Sequence, residues 1–378
     1  MLESRKILPE TLQSEFDIIK ERLSYLEKEV QVNKKTKELD AEKVSEKESK
    51  EEEVSVTKYE FNSLCKKSFL TNEEFDKIIA YAKKNDSTWL NLSVMSITDE
   101  QAKELWKFSH SHLHLDWLKS VTDEQVELLS NVKVLSLNWL SSVTDMQAES
   151  LSKTDCVYLD WLMRMSDKQA EALSNIEILS LNWLSSITDR QAEYLSNVGF
   201  MLSLNWLSSI TDRQAEHLPK VKMLRLNWLK NLTDNQAELL WNGDELWLNW
   251  LKNLTDNQAE GLWKLNDLHL DGLKNLTDNQ AIALWKLERL RLNWLKSLTD
   301  EQADAFSWLT TLDLNRLRKL NNKQAESLSK IRHIDLNWLN NLNDKQVKSL
   351  SKTSVSLNEA NLTERQKEII RGNTGNFG

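Results

Sequence analysis

Few residues of this chain have the types and spacing that chemistry requires. His112, His114 and Asp116 alternate along one stretch and have side chains that bind metal ions. Alternate residues of a strand lie in a line, so these three groups do not converge on one ion. The sequence contains no phosphate-binding glycine loop, no Gly-x-Ser-x-Gly turn and no Cys with a His at a recognisable spacing. It therefore predicts a protein that is not an enzyme and that holds no metal ion and no cofactor.

The residues that do recur belong to a tandem repeat. The segment Thr-Asp-x-Gln-Ala, or a near match, returns from Thr98 to Thr363 with steps that are mostly of 22 residues. A period this regular indicates a solenoid of stacked coils. Each unit is numbered here from its first Leu, so that Leu224 is position 1. Positions 1 and 3 are apolar and predict a short strand, whereas positions 9 to 17 have the apolar spacing of a helix.

The start of each helix is specified by several residues at once. In one unit, Thr255 is suited to be the N-cap, and Gln258 is placed to complete a capping box with it. Leu254 and Ala259 form a predicted hydrophobic staple around this cap, and Asp256 suits the positive end of the helix dipole. Because one unit cannot bury enough apolar surface by itself, the coils are expected to stabilise each other by stacking.

The repeat resembles a leucine-rich repeat over roughly residues 88–371. The strand motif Leu-x-Leu is followed by Asn or Asp, a helix and a return segment, in a bacterial-style 22-residue variant, LxLNxLxxLTDxQAxxL. The resemblance implies an α/β right-handed solenoid with short parallel strands on one face and short helices on the other. Right-handed crossovers between parallel strands are also what general topology rules predict.

Composition excludes several classes of protein. The 378-residue chain has a net charge of −9, so no basic excess predicts binding to nucleic acid. It has no apolar run long enough to span a membrane and no long apolar stretch at its start. Cys65 and Cys156 lie in unrelated contexts, which suits a reducing compartment. We therefore expect a cytoplasmic protein, and a secreted one stays an alternative if the N-terminus is incomplete.

The segments outside the repeats have their own patterns. Apolar residues within the segment 9–32 of the chain follow a heptad spacing. This spacing predicts either a coiled coil that joins two copies of the chain or a single amphipathic helix that packs on a neighbouring surface. The predicted domains are residues 1–32 as this helix, 33–56 as a charged linker, 57–87 as a helical N-terminal cap, 88–354 as the repeats, 355–372 as a C-terminal cap and 373–378 as a tail.

Position 4 is almost always Asn or Asp. We expect these side chains to form a structural ladder, in which each one bonds the backbone of the adjoining coil, and a ligand-binding polar row is the alternative. The ladder residues are Asn138, Asn182, Asn205, Asn227, Asn249, Asn293, Asn315 and Asn337, together with Asp116, Asp160, Asp271 and Asn358.

Position 2 varies, as a recognition surface on a rigid scaffold must. In four successive units it predicts a positive patch that binds a protein partner with an acidic surface, and a solvated face that prevents aggregation is the alternative. The predicted binding residues are Arg225, Trp247, His269 and Arg291, with Lys230, Lys252, Lys274 and Lys296 in a column beside them.

Position 5 is a tryptophan in most units. If these indoles are exposed, they form an indole ribbon that could bind a carbohydrate or another cell-surface ligand. The ribbon consists of Trp117, Trp139, Trp161, Trp183, Trp206, Trp228, Trp250, Trp294 and Trp338.

A different origin for these tryptophans is a further hypothesis. The chain has 16 Trp and only 7 Gly, and position 5 is a glycine at Gly272. Trp263 and Trp285 follow the last apolar residue of a helix, where glycine is common. Some bacteria read the codon UGA as glycine, so a translation that reads UGA as Trp would place indoles where the natural chain has glycines.

Overall fold

The computed structural model describes residues 56–107, 112–240 and 243–374. Within these ranges thirteen strands form one sheet, in which each strand pairs in parallel with its neighbours in sequence. The register is the same at each step, since Leu224 lies opposite Leu246 and Leu246 opposite Leu268. The strands are β1 Trp89–Asn91, β2 His112–His114, β3 Val134–Ser136, β4 Cys156–Tyr158, β5 Ile178–Ser180, β6 Met201–Ser203, β7 Met223–Arg225, β8 Glu245–Trp247, β9 Asp267–His269, β10 Arg289–Arg291, β11 Thr311–Asp313, β12 His333–Asp335 and β13 Ser354–Ser356.

A short helix follows each of the first twelve strands, and consecutive helices pack side by side. Two helices precede the sheet and one ends it, with 3₁₀ turns at Leu218–Lys220, Leu284–Lys286 and Glu359–Asn361. The helices are α1 Lys58–Leu64, α2 Asn72–Lys84, α3 Asp99–Trp106, α4 Asp123–Leu129, α5 Asp145–Leu151, α6 Asp167–Leu173, α7 Asp189–Leu195, α8 Asp212–His217, α9 Asp234–Leu239, α10 Asp256–Leu262, α11 Asp278–Ala283, α12 Asp300–Phe306, α13 Asn322–Leu328, α14 Asp344–Leu350 and α15 Glu364–Thr374.

The predicted capping box is confirmed at each helix from α3 to α14. In α10, Gln258 N–H donates to Thr255 Oγ1 at 3.1 Å, and the amide of Thr255 donates to Gln258 Oε1 at 2.9 Å. The glutamine also makes a hydrogen bond that the residue spacing within one unit cannot predict. Its Nε2 donates to the carbonyl oxygen of Leu232 in the preceding coil at 2.6 Å. The same residue therefore caps its own helix and joins two coils.

One hydrophobic core runs through the described repeats. In each coil the apolar positions of the strand and of the helix point into it, as Leu224, Leu226 and Ala237 do in one coil. Before β1, α2 buries Phe75 and Ile78 against the same core. The leucines of successive coils therefore share one interior, as a solenoid requires.

The domain boundaries stay predictions. The helix predicted over residues 1–32, most of the linker and most of the tail lie outside the described residues.

Candidate functional site

The position-4 side chains form a hydrogen-bonded ladder along the edge where the strands end. Asn205 Oδ1 accepts from the backbone N–H of Asn227 at 3.3 Å and from its Nδ2 at 2.7 Å. Asn205 Nδ2 in turn donates to Asn182 Oδ1 at 2.6 Å. The side-chain-to-backbone contact recurs from Asn249 to Asn337. These side chains form their hydrogen bonds with each other and with the backbone of the next coil. This supports a structural role over a ligand-binding row.

Arg225, Trp247 and His269 lie together on the open side of the sheet. The Arg225 guanidinium carbon lies 4.3 Å from the centre of the Trp247 ring. The His269 ring stacks on the other face of Trp247, and the two ring centres are 4.0 Å apart. Glu245 Oε1 accepts from Trp247 Nε1 at 2.5 Å and lies 3.1 Å from His269 Nε2. The hydrogen bond from His269, more than any other contact, lowers the pKa of Glu245. One carboxylate thus organises both aromatic side chains.

The structure differs from the expectation of an open positive row at two of its residues. His269 is only 4% exposed, because the Trp247 ring covers it and Glu245 contacts its Nε2. Arg291 Nε lies 2.9 Å from Asp313 Oδ2, so a carboxylate offsets this cation. Burial raises the pKa of Asp313, and the charge of Arg291 opposes that rise. His269 is therefore not open to a partner, and Arg291 is not an isolated charge.

The four predicted lysines have a different environment. Lys230, Lys252, Lys274 and Lys296, named here the lysine column, are all exposed in four successive coils. None of them lies within ion-pair distance of a carboxylate among the described residues. Arg318 occupies the next place in the column and is also exposed. Sequence reasoning missed Arg318, although its 22-residue spacing from Lys296 was a sufficient signal.

The indole ribbon is a continuous stack over seven coils. From Trp117 to Trp250 the ring centres of successive indoles lie 4.3 to 5.0 Å apart, with nearly parallel planes. Each inner indole therefore has a neighbour on both faces and offers mainly its edge to solvent. Because sugars pack against open faces of aromatic rings, the carbohydrate alternative loses its contact surface within this stack.

The stack is interrupted at Gly272. A Cβ at this glycine would lie 2.5 Å from the Asn249 carbonyl oxygen and 2.9 Å from that of Leu251, so the backbone here has no room for a side chain. In the preceding coil, by contrast, the amide of Trp250 donates to the Asn227 carbonyl at 2.9 Å. Arg316 occupies the same position further along and places its guanidinium 3.9 Å from the Trp294 ring centre.

The three candidate metal ligands are arranged in line. His114 Nδ1 lies 3.9 Å from Asp116 Oδ2, and both imidazoles stack on the ring of Trp89. Burial lowers the pKa of His114 more than the charge of Asp116 raises it. In the described part of the chain no three His, Cys, Asp or Glu side chains form a cluster that could hold a metal ion. No described helix is both long and apolar enough to cross a membrane.

Comparison with known proteins identifies solved structures only. No protein-family model and no curated protein sequence matches the chain. An internalin (inlF) of Listeria monocytogenes aligns with 79% of this chain and 88% of its own, at 17% identity and a TM-score of 0.48. The structure of the yeast Rad7–Elc1 complex aligns over 89% and 97% at 18% identity and a TM-score of 0.48. The Drosophila Toll–Spätzle complex aligns over 71% and 41% at 14% identity and a TM-score of 0.46.

Likenesses at this level carry no conclusion about function. The assignment of the fold depends on the chain itself, through its 22-residue period, its single sheet of thirteen parallel strands in sequence order and its repeated capped helices. On these features, the described chain is a solenoid of the leucine-rich-repeat type.

Proposed function

We propose that this chain is a non-enzymatic scaffold that binds a protein partner with an acidic surface, through the side of the solenoid that carries Arg225, Arg291 and the lysine column. The observation that carries the proposal is the lysine column, with four exposed cations in successive coils and no described carboxylate within ion-pair distance of them. Because strand pairing sets the spacing between coils, the backbones of successive members are about 4.8 Å apart in the stacking direction.

The column is unfavourable for the isolated chain. Two unit charges about 5 Å apart in water repel by roughly 0.8 kcal/mol, and each inner lysine has two such neighbours. A chain with a net charge of −9 has many carboxylates that could neutralise a cation, yet none of those described does so here. A partner carboxylate would relieve this repulsion, and the positive row would speed its approach at low ionic strength.

Arg225 supports the same function from the strand side. Its pKa is lowered because burial removes water from the guanidinium, while the charge of Glu245 only partly compensates. Its Nε is buried and has no acceptor among the described residues. An acidic side chain of a partner would pair with the half-buried guanidinium. Hydrogen bonds to charged groups contribute about 1.5–3 kcal/mol.

The test is affinity capture from an extract of the source organism with the whole chain as bait. We expect acidic proteins to be captured at low salt and released as salt rises. Replacement of all four column lysines by Gln, or of Arg225 and Arg291 by Ala, is expected to abolish the capture. The matched control replaces four exposed lysines elsewhere, Lys153, Lys168, Lys345 and Lys348, by Gln and changes the net charge equally. Equal capture by the column variant and the control would overturn the proposal.

We also propose that two copies of the chain pair through residues 9–32 and that the protein acts in the cytoplasm. The heptad spacing supports the pairing, and the free state of Cys65 and Cys156 suits a reducing compartment. Light scattering of the whole chain is expected to give the mass of a dimer, and an Ile19→Asp/Leu23→Asp variant the mass of a monomer. A wild-type monomer would overturn the pairing.

A further inference from the structure

A second surface on the strand side contains no lysine and no tryptophan. In five successive strands, β3 to β7, the residue before the first Leu of the unit is apolar, and in-register pairing places these side chains next to each other. The next strand begins with Glu245 and the following one with Asp267, so the row ends abruptly. We name it the apolar column, and it consists of Val134, Cys156, Ile178, Met201 and Met223.

The apolar column is accessible along most of its length. Its members are half-buried, apart from Met201, which is 8% exposed. Phe200, beside Met201, keeps 43% of its surface exposed. Four strand spacings of about 4.8 Å make the column roughly 19 Å long. Apolar side chains in an unbroken row on the outside of a solenoid mark a surface that can bind another chain.

Beside the column, the sheet has a floor of small, satisfied side chains. Ser180 Oγ donates to Asp160 Oδ1 at 2.5 Å, and Ser203 Oγ donates to Asn182 Oδ1 at 2.7 Å. Both serines are almost fully buried, and their hydroxyl groups point along the ladder. Such a floor has no unmet hydrogen-bonding group that a covering chain would have to satisfy. An apolar segment can therefore cover it without leaving a polar group buried and unpaired.

Tyr158 and Arg225 bracket the two serines. Although two strands lie between them, each contributes to the electrostatic environment of the other. Arg225 Nη2 contacts Met223 Sδ at 3.6 Å, so the guanidinium lies against the end of the apolar column. No described carboxylate is within ion-pair distance of this guanidinium, and its Nε has no acceptor. The site therefore combines an apolar row with one cation at its end that lies over the Trp247 ring and has no described carboxylate partner.

We propose that the apolar column and Arg225 bind an extended segment of a partner protein that has apolar side chains and a carboxylate at its end. At about 3.3 Å per residue, a segment of roughly six residues spans the column. Its apolar side chains cover Ile178 and its neighbours, and its carboxylate accepts from Arg225. This contact is distinct from the lysine column, which lies beyond the carboxyl ends of the strands.

The test uses the hexapeptide Thr-Val-Thr-Val-Thr-Val, with a fluorescent label on its amino end and a free carboxyl end, and the same labelled peptide as a C-terminal amide. Binding to the whole protein is measured by fluorescence anisotropy. We expect the carboxylate form to bind at least tenfold more tightly than the amide. Arg225→Met is expected to make the two peptides equal, and Ile178→Asp or Val134→Asp to abolish the binding of both.

The controls separate this contact from the proposed function and from misfolding. Arg289→Met removes an exposed arginine three strands away from Arg225 and is expected to leave both affinities unchanged. The lysine-column variant is also expected to keep the preference for the carboxylate, so either proposal can fail alone. Thermal unfolding monitored by circular dichroism shows whether each variant is folded, and Val134→Asp tests the opposite end of the column from Arg225. Equal binding of the two peptides to the wild type, no binding of either, or unchanged binding to folded aspartate variants would overturn the proposal.

Discussion

The glutamine of the repeat forms a hydrogen bond to the preceding coil in addition to its capping box. Gln258 accepts from the amide of Thr255 and donates to the Leu232 carbonyl of the preceding coil, and it is itself buried. Alanine at this position leaves both backbone groups without their partner. Each unmet buried group costs about 1–3 kcal/mol. The interaction between coils therefore depends on the same side chain that caps its own helix.

We predict that Gln258→Ala lowers the free energy of unfolding by about 2–6 kcal/mol, from the two unpaired backbone groups together. Urea unfolding monitored by circular dichroism measures this difference. Glu260→Ala in the same helix is the control, since Glu260 is exposed and is expected to change stability by less than about 0.5 kcal/mol. Equal effects of the two substitutions would contradict a structural role for the contact between coils.

Glu245 gives a prediction about pH. Its pKa lies below the ordinary value of 4.5, first because of the hydrogen bond with His269 and then because of the one with Trp247, against an opposing effect of burial. A carboxyl group whose folded pKa is lowered stabilises the fold above its unfolded pKa, and this contribution is lost as pH falls through the folded pKa. The stabilisation is therefore present at pH 7 and declines below about pH 4.5.

We expect Glu245→Gln to be about 1.5–3 kcal/mol less stable than the wild type at pH 7, the range for a hydrogen bond to a charged group. The difference is expected to shrink as the pH falls from 4.5 towards 3. Urea titrations at several pH values measure it, with Glu260→Gln as the exposed control. A difference that is the same at pH 7 and pH 3 would show that the charge of Glu245 contributes nothing.

The identity of the indole ribbon is decided by codons. If the gene reads UGA as glycine, the codons for the ribbon positions are UGA, and the mass of the protein isolated from its own source is that of the glycine form. A UGG codon retains the indole at its position. The lysine column and the apolar column contain no tryptophan, so both proposals can be tested with either form of the chain.

At the scale of the elements, sequence period predicted much of what the structure contains. The strand, the capped helix and the shared leucine core follow from residues within one unit, because strands and helices have different apolar periods. The strands begin one residue earlier than predicted, at Met223 instead of Leu224, since backbone pairing between coils includes the residue before the first Leu. The apolar column consists of these earlier residues, which is why the sequence did not point to it.

The contacts of the candidate site depended on side chains that reach across coils. Position 2 was correctly identified as variable, but variation does not predict whether the side chains at this position are exposed to solvent. His269 is covered by Trp247 from the preceding strand, and Arg291 contacts Asp313 from the following strand. A repeat pattern gives the position of each residue in its own coil. It does not give the direction in which a long side chain leans towards a neighbouring coil.

Gly261 in α10 shows how closely two helices can approach. A Cβ at this position would lie 2.8 Å from the backbone carbonyl carbon of Ala237 and 2.8 Å from the backbone nitrogen of Glu238. Both residues belong to α9 in the preceding coil. Alanine favours a helix over glycine by about 1 kcal/mol, whereas overpacking costs about 1–3 kcal/mol. Backbone atoms cannot move aside alone, so the steric cost is the larger effect.

We predict that Gly261→Ala lowers the free energy of unfolding by about 1 kcal/mol despite its higher helix propensity, as the difference between those two effects. The control is Ser150→Ala at the equivalent position of α5, which is expected to be neutral or slightly stabilising. Urea unfolding measures both. A more stable Gly261→Ala protein would mean that the two helices can separate at little cost.

For the whole molecule, regular stacking determines the electrostatic field as well as the core. The same period that superimposes the leucines also superimposes like charges, and Lys230, Lys252, Lys274 and Lys296 fall in one column as a result. In a compact domain with irregular topology, the repulsion between such residues would be relieved by distance. In a solenoid the spacing is fixed by strand pairing, so the repulsion must be tolerated or relieved by a partner.

This repulsion predicts that removal of inner lysines stabilises the free chain. We expect Lys252→Gln/Lys274→Gln to raise the free energy of unfolding by about 0.5–1.5 kcal/mol at 10 mM salt, on the scale of the Coulomb energy of exposed neighbours. At 1 M salt, where the screening length is about 3 Å, the gain is expected to vanish. Lys153→Gln/Lys345→Gln, which changes two exposed lysines that are far apart and outside the column, is expected to show no such dependence on salt. A gain that persists at 1 M salt, or that the control shares, would mean that the column carries no stored repulsion for a partner to relieve.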